Sequence, residues 1–396
     1  MDQRGLAGAQ GLSAKPEDPL KSYGLVHLTS AAGDALVAFA LADSIFFSLP
    51  VGEAKVQVAL YLALTMAPLA IAGPLLVPLL DRGGFRRAIS FLSGAGRAGA
   101  ALWAAPHLDS LLLFPTIFAI LVLSKIHVIT KNGLTIAYAP RDRSLVTANA
   151  RLNRFAVAGV VFASAAALPL SRFFGPVPVL YLAAGVYAIS ALRNLWLRQP
   201  AVSALQASPV GKRGSVGRLA AAAAGAGAMR GAHGFLIFML AFALRRAGDP
   251  EYWLGVLIIA GLAGAFAANV LAVRLEGLTE EAVVVSALLA AGTAGLVGLS
   301  IFSLPVLAVF TALTGASTEA SRLGFQSLMQ RIAPEAAHGR VFVHYEVLFQ
   351  LAWVAGALVP ALSPITYRQG LGLLAMFYLA CGVAVLVHRV RTGLAG

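Results

Sequence analysis

Long apolar stretches separated by short polar segments repeat along the whole 396-residue chain. A helix needs about 20 predominantly apolar residues to cross a bilayer, and stretches close to that length or longer occur twelve times. Lipid offers the backbone no hydrogen bonds, so stretches of this length and of this Ala, Leu and Gly content favour helices over strands. The pattern therefore predicts an all-α integral membrane protein with twelve transmembrane spans, at 26–49, 55–79, 87–105, 110–137, 144–170, 176–197, 218–244, 252–273, 281–301, 304–330, 340–364 and 369–389.

The composition supports this class and excludes others. Apolar residues make up 59% of the chain and charged residues 12%, about half of the roughly 25% found in soluble domains. So few charges exclude an ordinary globular enzyme and a disordered chain. The formal net charge of +13 comes from basic residues in short loops, so no nucleic-acid partner is expected. One cysteine, Cys381, excludes a disulfide scaffold, and the scattered histidines predict neither a metal nor a cofactor.

Lysine and arginine are unevenly distributed between the two sides of the predicted spans. The loops after even-numbered spans and the two tails contain seventeen of them, and the opposite loops contain five. Since basic loops are retained in the cytoplasm, we expect both termini to be cytoplasmic, in a cell inner membrane. Residues 1–25 are polar and lack the apolar region of a signal peptide, so they are interpreted as a retained cytoplasmic tail.

A polar segment at 199–217 divides the predicted spans into two groups of six. It contains prolines, glycines and basic residues, which are typical of a linker. We therefore expect an N-terminal six-helix bundle at 26–198, a cytoplasmic linker and a C-terminal six-helix bundle at 218–396. Halves built from three-helix repeats are typical of transporters.

The segment after the second span contains the most specific motif in the chain. Residues 77–87 read Val-Pro-Leu-Leu-Asp-Arg-Gly-Gly-Phe-Arg-Arg. This segment resembles the Gly-x-x-x-Asp-Arg-x-Gly-Arg-Arg/Lys signature of the major facilitator superfamily. The matching positions are Asp81, Arg82, Gly84 and Arg86. The chain departs from the signature at 77 and 85, where valine and phenylalanine replace a glycine and a basic residue.

Two further segments are similar to the branch of that superfamily that contains enterobactin exporters and macrolide-efflux proteins. One covers 140–150 at the start of the fifth span, and the other covers 334–342 before the eleventh. Gly33 and Asp34 in the first span also suit this branch. The resemblance extends over about residues 26–392. It implies the major facilitator fold, alternating access, export and a monomer.

The resemblance also implies a conformational clasp on the cytoplasmic side. Its members would be Asp81, Arg82, Gly84, Arg86 and Arg340. A carboxylate at one helix end can face the positive N-terminus of another helix, and arginines can pair with acids or with lipid phosphates. The alternative is topogenic, in which the arginines only hold the loop in the cytoplasm.

Charged and polar side chains also lie inside the predicted spans, where a charge at the bilayer centre costs about 2.5–3.5 kcal/mol on the mildest scale. Many occupy the first helix of each three-helix repeat, and the resemblance implies that these helices line a central cavity. The expected substrate contacts are Lys125, His127, Lys131, Arg230, His233, Arg322, Gln350 and Asn149. The excess of basic groups indicates an anionic moiety on the substrate.

Three carboxylates within the spans are candidates for proton coupling: Asp34, Glu346 and Glu319. Desolvation favours the protonated form of a carboxylate, which lets such a group exchange a proton near neutral pH. Asp34 is preferred because Ser30 and His27 share its helical face.

Structural pairing is the alternative to proton exchange for these carboxylates. Asp34 would then form a permanent salt bridge with a basic residue of the spans, namely Lys125, Lys131 or Arg230. Glu319 has Arg322 three residues away, which suits an ion pair on one helix. Arg97 lies on a helix that is peripheral in the superfamily and is interpreted as a bond between helices.

The sequence contains no P-loop and no common hydrolase or redox motif, so no enzymatic activity is expected. We interpret the chain as a secondary active transporter. It would be a proton-coupled exporter of a small amphipathic or anionic compound, such as a siderophore, a drug or a lipid-like molecule. Its expected partners are the substrate, protons and membrane lipids. Two other hypotheses stay open, a uniporter or importer of an organic anion or lysolipid, and a receptor or scaffold that does not transport.

Overall fold

The structure is a computed structural model that describes residues 18–42, 85–108, 110, 112–140, 144–198, 212–250, 252–275, 277–333 and 338–393. These residues form eleven long α-helices, two 3-10 turns (Ala105–His107 and Ala272–Leu275) and no strand. The helices are α1 (Pro19–Ala42), α2 (Arg86–Ala104), α3 (Leu113–Tyr138), α4 (Leu145–Phe174), α5 (Pro176–Trp196), α6 (Lys212–Ala247), α7 (Tyr252–Leu271), α8 (Glu280–Ser300), α9 (Leu304–Ile332), α10 (His338–Leu362) and α11 (Tyr367–Gly393). α1 is the first predicted span and α2–α11 are the third to the twelfth. The second predicted span lies outside the described residues.

Most of these helices have the length and composition of membrane spans. Within the described ranges, nine are long and apolar enough to cross a bilayer. The other two long helices, α2 and α9, carry arginines at 86, 87, 97, 322 and 331 and a glutamate at 319, which lower their mean hydropathy. The chain is therefore a multi-pass membrane protein, and α2 and α9 are the more polar of its described long helices.

Two helices begin earlier than the apolar pattern predicts. α1 begins at Pro19 rather than at 26, because Asp18 Oδ1 accepts the backbone N–H groups of Leu20 and Lys21 at 3.1 and 3.2 Å and so caps the helix. α6 begins at Lys212, inside the predicted linker. In both places hydropathy marks the apolar part of the helix, whereas capping and propensity extend the helix into polar residues.

The two halves of the chain repeat the same pattern of helix packing. In the first half α1 packs on α4 and α5, and α2 packs on α3 and α5. In the second half α6 packs on α10 and α11, and α8 packs on α9 and α11. Each half has its own buried apolar clusters, with the largest one drawn from residues 219–378.

Glycine permits an equivalent close helix crossing in each half. A Cβ atom at Gly159 of α4 would lie 2.2 Å from the carbonyl oxygen of Leu28 on α1. A Cβ atom at Gly356 of α10 would lie 1.8 Å from the carbonyl oxygen of Gly231 on α6. Any larger residue at these points would force the helices apart, which is why small residues are used where membrane helices approach closely.

Ion pairs join neighbouring helix ends on one face of the bundle. Arg151 near the start of α4 binds Asp18 at the start of α1 at 2.5 Å. Arg218 near the start of α6 binds Glu281 at the start of α8, also at 2.5 Å. Arg331 at the end of α9 binds Glu280, the first residue of α8. We call the surface formed by these helix ends the basic face. It is the side that the charge distribution predicts to be cytoplasmic.

Candidate functional site

A cavity of about 100 Å³ lies between the two halves. Residues of α3 from the first half and of α6, α9 and α10 from the second half line it. Its charged lining residues are Lys131, Arg230, Arg322 and Glu346. Such a space holds several water molecules or part of a small ligand. The structure thus brings four of the predicted site residues together at a boundary between the halves.

The charged groups of this cavity are incompletely paired. Arg322 donates to both carboxylate oxygens of Glu319, at 2.6 and 2.9 Å, so the predicted pair on one helix is present. The side chains of Lys131, Arg230 and Glu346 make no hydrogen bond or ion pair with another described residue. Lys131 is nevertheless buried, with 4% of its surface exposed. A buried cation without a direct counter-charge is unfavourable, so the cavity favours an anion.

Aromatic side chains of α9 and α10 supply the apolar part of the cavity wall. The ring of Phe325 meets Tyr345 and Phe349 edge to face, with centroids 5.2 and 4.9 Å apart. All three residues line the cavity. The cavity therefore combines basic groups with an aromatic surface, which suits an amphipathic anion.

Amide side chains join the two halves between this cavity and the basic face. Asn149 on α4 donates to Gln330 on α9 at 2.7 Å, and Gln330 donates to the carbonyl oxygen of Asn132 on α3 at 3.1 Å. Gln326 on α9 donates to the side-chain oxygen of Asn132. Hydrogen bonds of this kind hold α3 and α4 of the first half against α9 of the second.

The same chain of hydrogen bonds continues through charged residues. Arg322 donates to Gln326 at 3.1 Å and is paired with Glu319. Asn153 on α4 donates to Glu319 at 3.0 Å and to Asn269 on α7 at 3.1 Å. From Gln330 to Glu319 this inter-half chain covers about 16 Å along α9, roughly half of a bilayer core. Its members are Asn149, Gln330, Asn132, Gln326, Arg322, Glu319, Asn153 and Asn269.

Asp34 has a different partner from those that the sequence suggested. Its basic partner is Arg97 on α2, at 3.0 Å, not Lys125, Lys131 or Arg230. Tyr187 and Ser124 also donate to its carboxylate, at 2.6 and 2.8 Å. Asp34 therefore joins four helices of the first half. The expected role of Arg97 as a bond between helices agrees with this arrangement, and its guanidinium also lies 4.6 Å from the centre of the Tyr187 ring.

The remaining predicted contacts lie outside the cavity lining. His127 is buried and faces His27 on α1, with Nδ1 of His27 3.2 Å from Nε2 of His127. Asn149 belongs to the inter-half chain. Lys125, His233 and Gln350 lie on helices that border the cavity but do not line it. Among the residues with a described placement, no group of three or more His, Cys, Asp or Glu residues is arranged to hold a metal.

The predicted clasp is described only in part. Asp81, Arg82 and Gly84 lie outside the described residues. Arg86 at the start of α2 is buried against Gly133 of α3. Together with Gly339 and Phe342 of α10 it lines a small void between the halves. Arg340 is exposed on the basic face and takes part in an interaction there. These positions suit a clasp, which stays a prediction.

Reasoning from the sequence missed the amides of the inter-half chain on α9 and α3. A signal for them exists on α9, where Glu319, Arg322, Gln326 and Gln330 recur at spacings of three and four and so form one polar stripe. A polar stripe on a membrane helix cannot face lipid, which indicates a contact within the bundle. Asn132 has no comparable signal, because its partners come from the other half.

Comparison with known proteins gives distant relatives. No family model matches the chain. The uncharacterized protein ML2143 of Mycobacterium leprae is 28% identical over 377 residues, which cover 83% of this chain and 64% of that protein. The uncharacterized protein Rv0876c of Mycobacterium tuberculosis is 34% identical over 166 residues, covering 39% of this chain and 30% of the relative. The chain thus spans less than two thirds of the length of these relatives.

Solved structures match over nearly the whole chain. A bacterial homologue of the iron transporter ferroportin, outward-facing with soaked iron, has a TM-score of 0.64 at 16% identity and covers 94% of this chain and 99% of that one. The major facilitator transporter FucP in its outward conformation has a TM-score of 0.63 at 15% identity, with 93% and 98% covered. The human organic anion transporter MFSD10 has a TM-score of 0.65 at 16% identity, with 94% and 100% covered.

The chain has the major facilitator fold. At these identities the likeness shows the fold, and the neighbours that share it are transporters rather than enzymes. The twelve-helix architecture predicted from the sequence is thereby confirmed. None of the comparisons points to the enterobactin-exporter and macrolide-efflux branch, so membership of that branch stays a prediction.

Proposed function

We propose that this protein is a secondary active transporter in which the two halves rock about the cavity between them. The observation that carries this proposal is the composition of the cavity, where Lys131 of the first half faces Arg230, Arg322 and Glu346 of the second. A site shared by both halves changes when they move, which alternating access requires. The transporters that share the fold support the same reading.

The proposed substrate is a small amphipathic or anionic compound. Because Arg322 is paired with Glu319, the cavity lining keeps Lys131 and Arg230 against the single carboxylate of Glu346. An anion would offset this excess of positive charge in a site shielded from water. Phe325, Tyr345 and Phe349 offer an apolar surface beside these charges. A siderophore, an acidic drug or a lipid-like anion would satisfy both features.

The proposed coupling ion is the proton, and Glu346 is its best carrier. Among the three candidates, Glu346 lines the cavity, and its carboxylate makes no hydrogen bond or ion pair with another described residue. Asp34 is held by Arg97, Tyr187 and Ser124, and Glu319 is held by Arg322. The surroundings of Glu346 therefore change when the halves move, as coupling requires, whereas Asp34 and Glu319 are held by the partners named above.

The direction of transport is proposed to be export, on the strength of the sequence resemblance alone. The bonds described between the halves lie on the side of the basic face, which is predicted to be cytoplasmic. This arrangement suits the state of a transporter that has closed its cytoplasmic side. An exporter and an importer both pass through such a state.

A reconstitution experiment tests the proposal. Proteoliposomes containing an internal pH dye would be exposed to a catecholate siderophore, a macrolide, a lysophospholipid and benzoate in turn, with protein-free liposomes as the control for passive permeation. An exchanger moves protons out as the substrate enters, so the interior becomes alkaline. Glu346→Gln should abolish this pH change and retain substrate binding. The control Glu280→Gln, which alters a carboxylate paired with Arg331 on the basic face, should leave it intact.

Each outcome separates the hypotheses. Acidification of the interior would contradict export by exchange and indicate proton-coupled uptake. Substrate flux without a pH change would indicate a uniporter. Binding without flux in any variant would favour the receptor or scaffold hypothesis. An unchanged pH response in Glu346→Gln would remove Glu346 from the coupling role and return Asp34 to first place.

A further inference from the structure

Arg322 belongs both to the cavity lining and to the inter-half chain. Its Nε and Nη2 groups donate to Glu319, and its Nη1 group donates to Gln326. Glu319 accepts a hydrogen bond from Asn153 of the first half, and Gln326 donates to Asn132 of the first half. The guanidinium therefore orients two of the groups through which α9 bonds to the first half, Glu319 towards α4 and Gln326 towards α3.

Part of the inter-half chain also lines the cavity. Asn132 and Gln326 line the cavity together with Arg322. Gln326 lies one helical turn, about 6 Å, nearer to the basic face than Arg322 does. The side chain of Arg322 is 29% exposed, so a molecule in the cavity can reach it. A ligand in the cavity thus contacts the same guanidinium that supports the closure, by which we mean the hydrogen bonds between the halves on the side of the basic face.

We propose that the binding of a ligand to Arg322 releases the hydrogen bonds that hold the two halves together on the side of the basic face. An organic anion with a flat apolar part enters the cavity, binds the guanidinium in place of Glu319 and Gln326, and thereby loosens the closure. This inference rests on the proposed transport function and extends it by naming the ligand class and the trigger. A carboxylate matches the fork of a guanidinium with two parallel hydrogen bonds, and the aromatic wall accommodates the ring.

The trigger follows from differential binding. In the closed state the donors of Arg322 are occupied by Glu319 and Gln326, so an anion finds few of them free. When the halves separate, Glu319 loses Asn153 and Gln326 loses Asn132, and the guanidinium can turn towards the ligand. The anion therefore binds the separated state more tightly, and a ligand can shift a conformational equilibrium only through such a difference. Lys131 and Arg230 hold the anion near Arg322.

Cysteine labelling tests this inference, because Cys381 is the only cysteine of the chain. In a Cys381→Ser background, Val146→Cys places a reporter in the apolar cluster that α4 shares with Leu323 of α9, where Val146 is 4% exposed. The matched control is Ala101→Cys, which is buried in the core of the first half in any arrangement of the halves. The probes are benzoate and benzamide, which have similar shapes and differ in charge. The measured quantity is the labelling rate with a small maleimide in detergent.

The expected results are specific. Gln326→Leu should raise the labelling rate of Val146→Cys about tenfold, as the loss of hydrogen bonds between the halves predicts. Benzoate should raise the rate by a similar factor when Arg322 is intact, and benzamide should leave it unchanged. Arg322→Gln should raise the basal rate and remove the response to benzoate. Ala101→Cys should stay unlabelled throughout. Asn149→Ala offers a second way to weaken the closure if Gln326→Leu is poorly folded.

Two results would overturn the inference. One is labelling that does not respond to benzoate in the chain with Arg322 intact. The other is an equal response to benzoate in Arg322→Gln. If Gln326→Leu still accelerates labelling in these cases, the halves do separate, and only the anion trigger fails. If no variant and no probe changes the labelling of Val146→Cys, the rocking motion is absent and the proposed transport function fails with it.

Discussion

Arg97 on α2 donates a 3.0 Å hydrogen bond to Asp34 on α1, and no part of the Arg97 side chain is exposed, whereas 36% of the Asp34 side chain is. The arginine depends on this carboxylate for its counter-charge, because burying a cation is costly unless it is paired. Ser30 accepts a second bond from the guanidinium at 2.9 Å. The pair thus stabilises the packing of α2 against α1.

Replacing only Asp34 should destabilise the first half. In Asp34→Leu the buried guanidinium loses its counter-charge, and we expect a loss of roughly 2 kcal/mol. This is less than the roughly 3–5 kcal/mol of a fully buried pair because Asp34 keeps contact with solvent. Thermal unfolding in detergent measures the change. The double variant Asp34→Leu with Arg97→Leu should recover part of the stability. If the double variant were less stable than Asp34→Leu alone, the ion pair would not be what stabilises the packing of α2 against α1.

Lys131 and Lys125 lie on the same helix and should respond differently to the same substitution. Lys131→Gln removes a cation from the cavity lining, so the Kd of an anionic ligand should rise roughly tenfold to a hundredfold, the range of a charged hydrogen bond. Lys125→Gln should leave the Kd unchanged because this residue does not line the cavity. Ligand-induced shifts in the unfolding temperature provide the measurement. Equal effects of the two variants would argue against the cavity as the binding site.

Gly356 should tolerate no side chain. Gly356→Ala places a Cβ atom against the carbonyl oxygen of Gly231, and overpacking at a fixed helix crossing costs about 1–3 kcal/mol or more. Gly255→Ala on α7 is the control, since no atom lies within 4 Å of its added Cβ. That variant should be neutral or more stable, because alanine favours a helix over glycine by about 1 kcal/mol. Circular dichroism during heating compares the two, and equal melting temperatures would contradict the predicted close crossing.

The stabilising effect of the ion pair between Asp18 and Arg151 should be lost at acidic pH. Burial raises the pKa of Asp18, but the hydrogen bonds from Arg151 and from the backbone at Lys21 and Leu20 outweigh it, and the pKa lies below the usual value. A carboxyl group with a lowered pKa stabilises the fold above its unfolded pKa, and this contribution is lost as the pH falls below about 4. Asp18→Asn, which can still cap α1, should therefore lower the unfolding temperature at pH 7. The difference from the unchanged chain should shrink at pH 3, and a difference that persists there would assign the effect to capping instead of charge.

Much of the architecture follows from the order of residues alone. Apolar length determines where helices cross the membrane, because lipid forces every span to satisfy its own backbone. The unequal distribution of arginine and lysine predicts the side of each loop in the same local way. The Glu319–Arg322 pair was likewise predictable, since a spacing of three on one helix brings two side chains together whatever the rest of the chain does.

The partners of residues on different helices depend on tertiary structure. Asp34 has several basic candidates within the spans, and the packing of α2 against the first half places Arg97 beside it. Asn132 looks unremarkable in the sequence, but the meeting of the two halves gives it bonds from Gln326 and Gln330. Helix positions thus come from the sequence by itself, because hydropathy and capping act within a span. The cavity and the bonds that close it come from tertiary structure, because they join side chains more than a hundred residues apart.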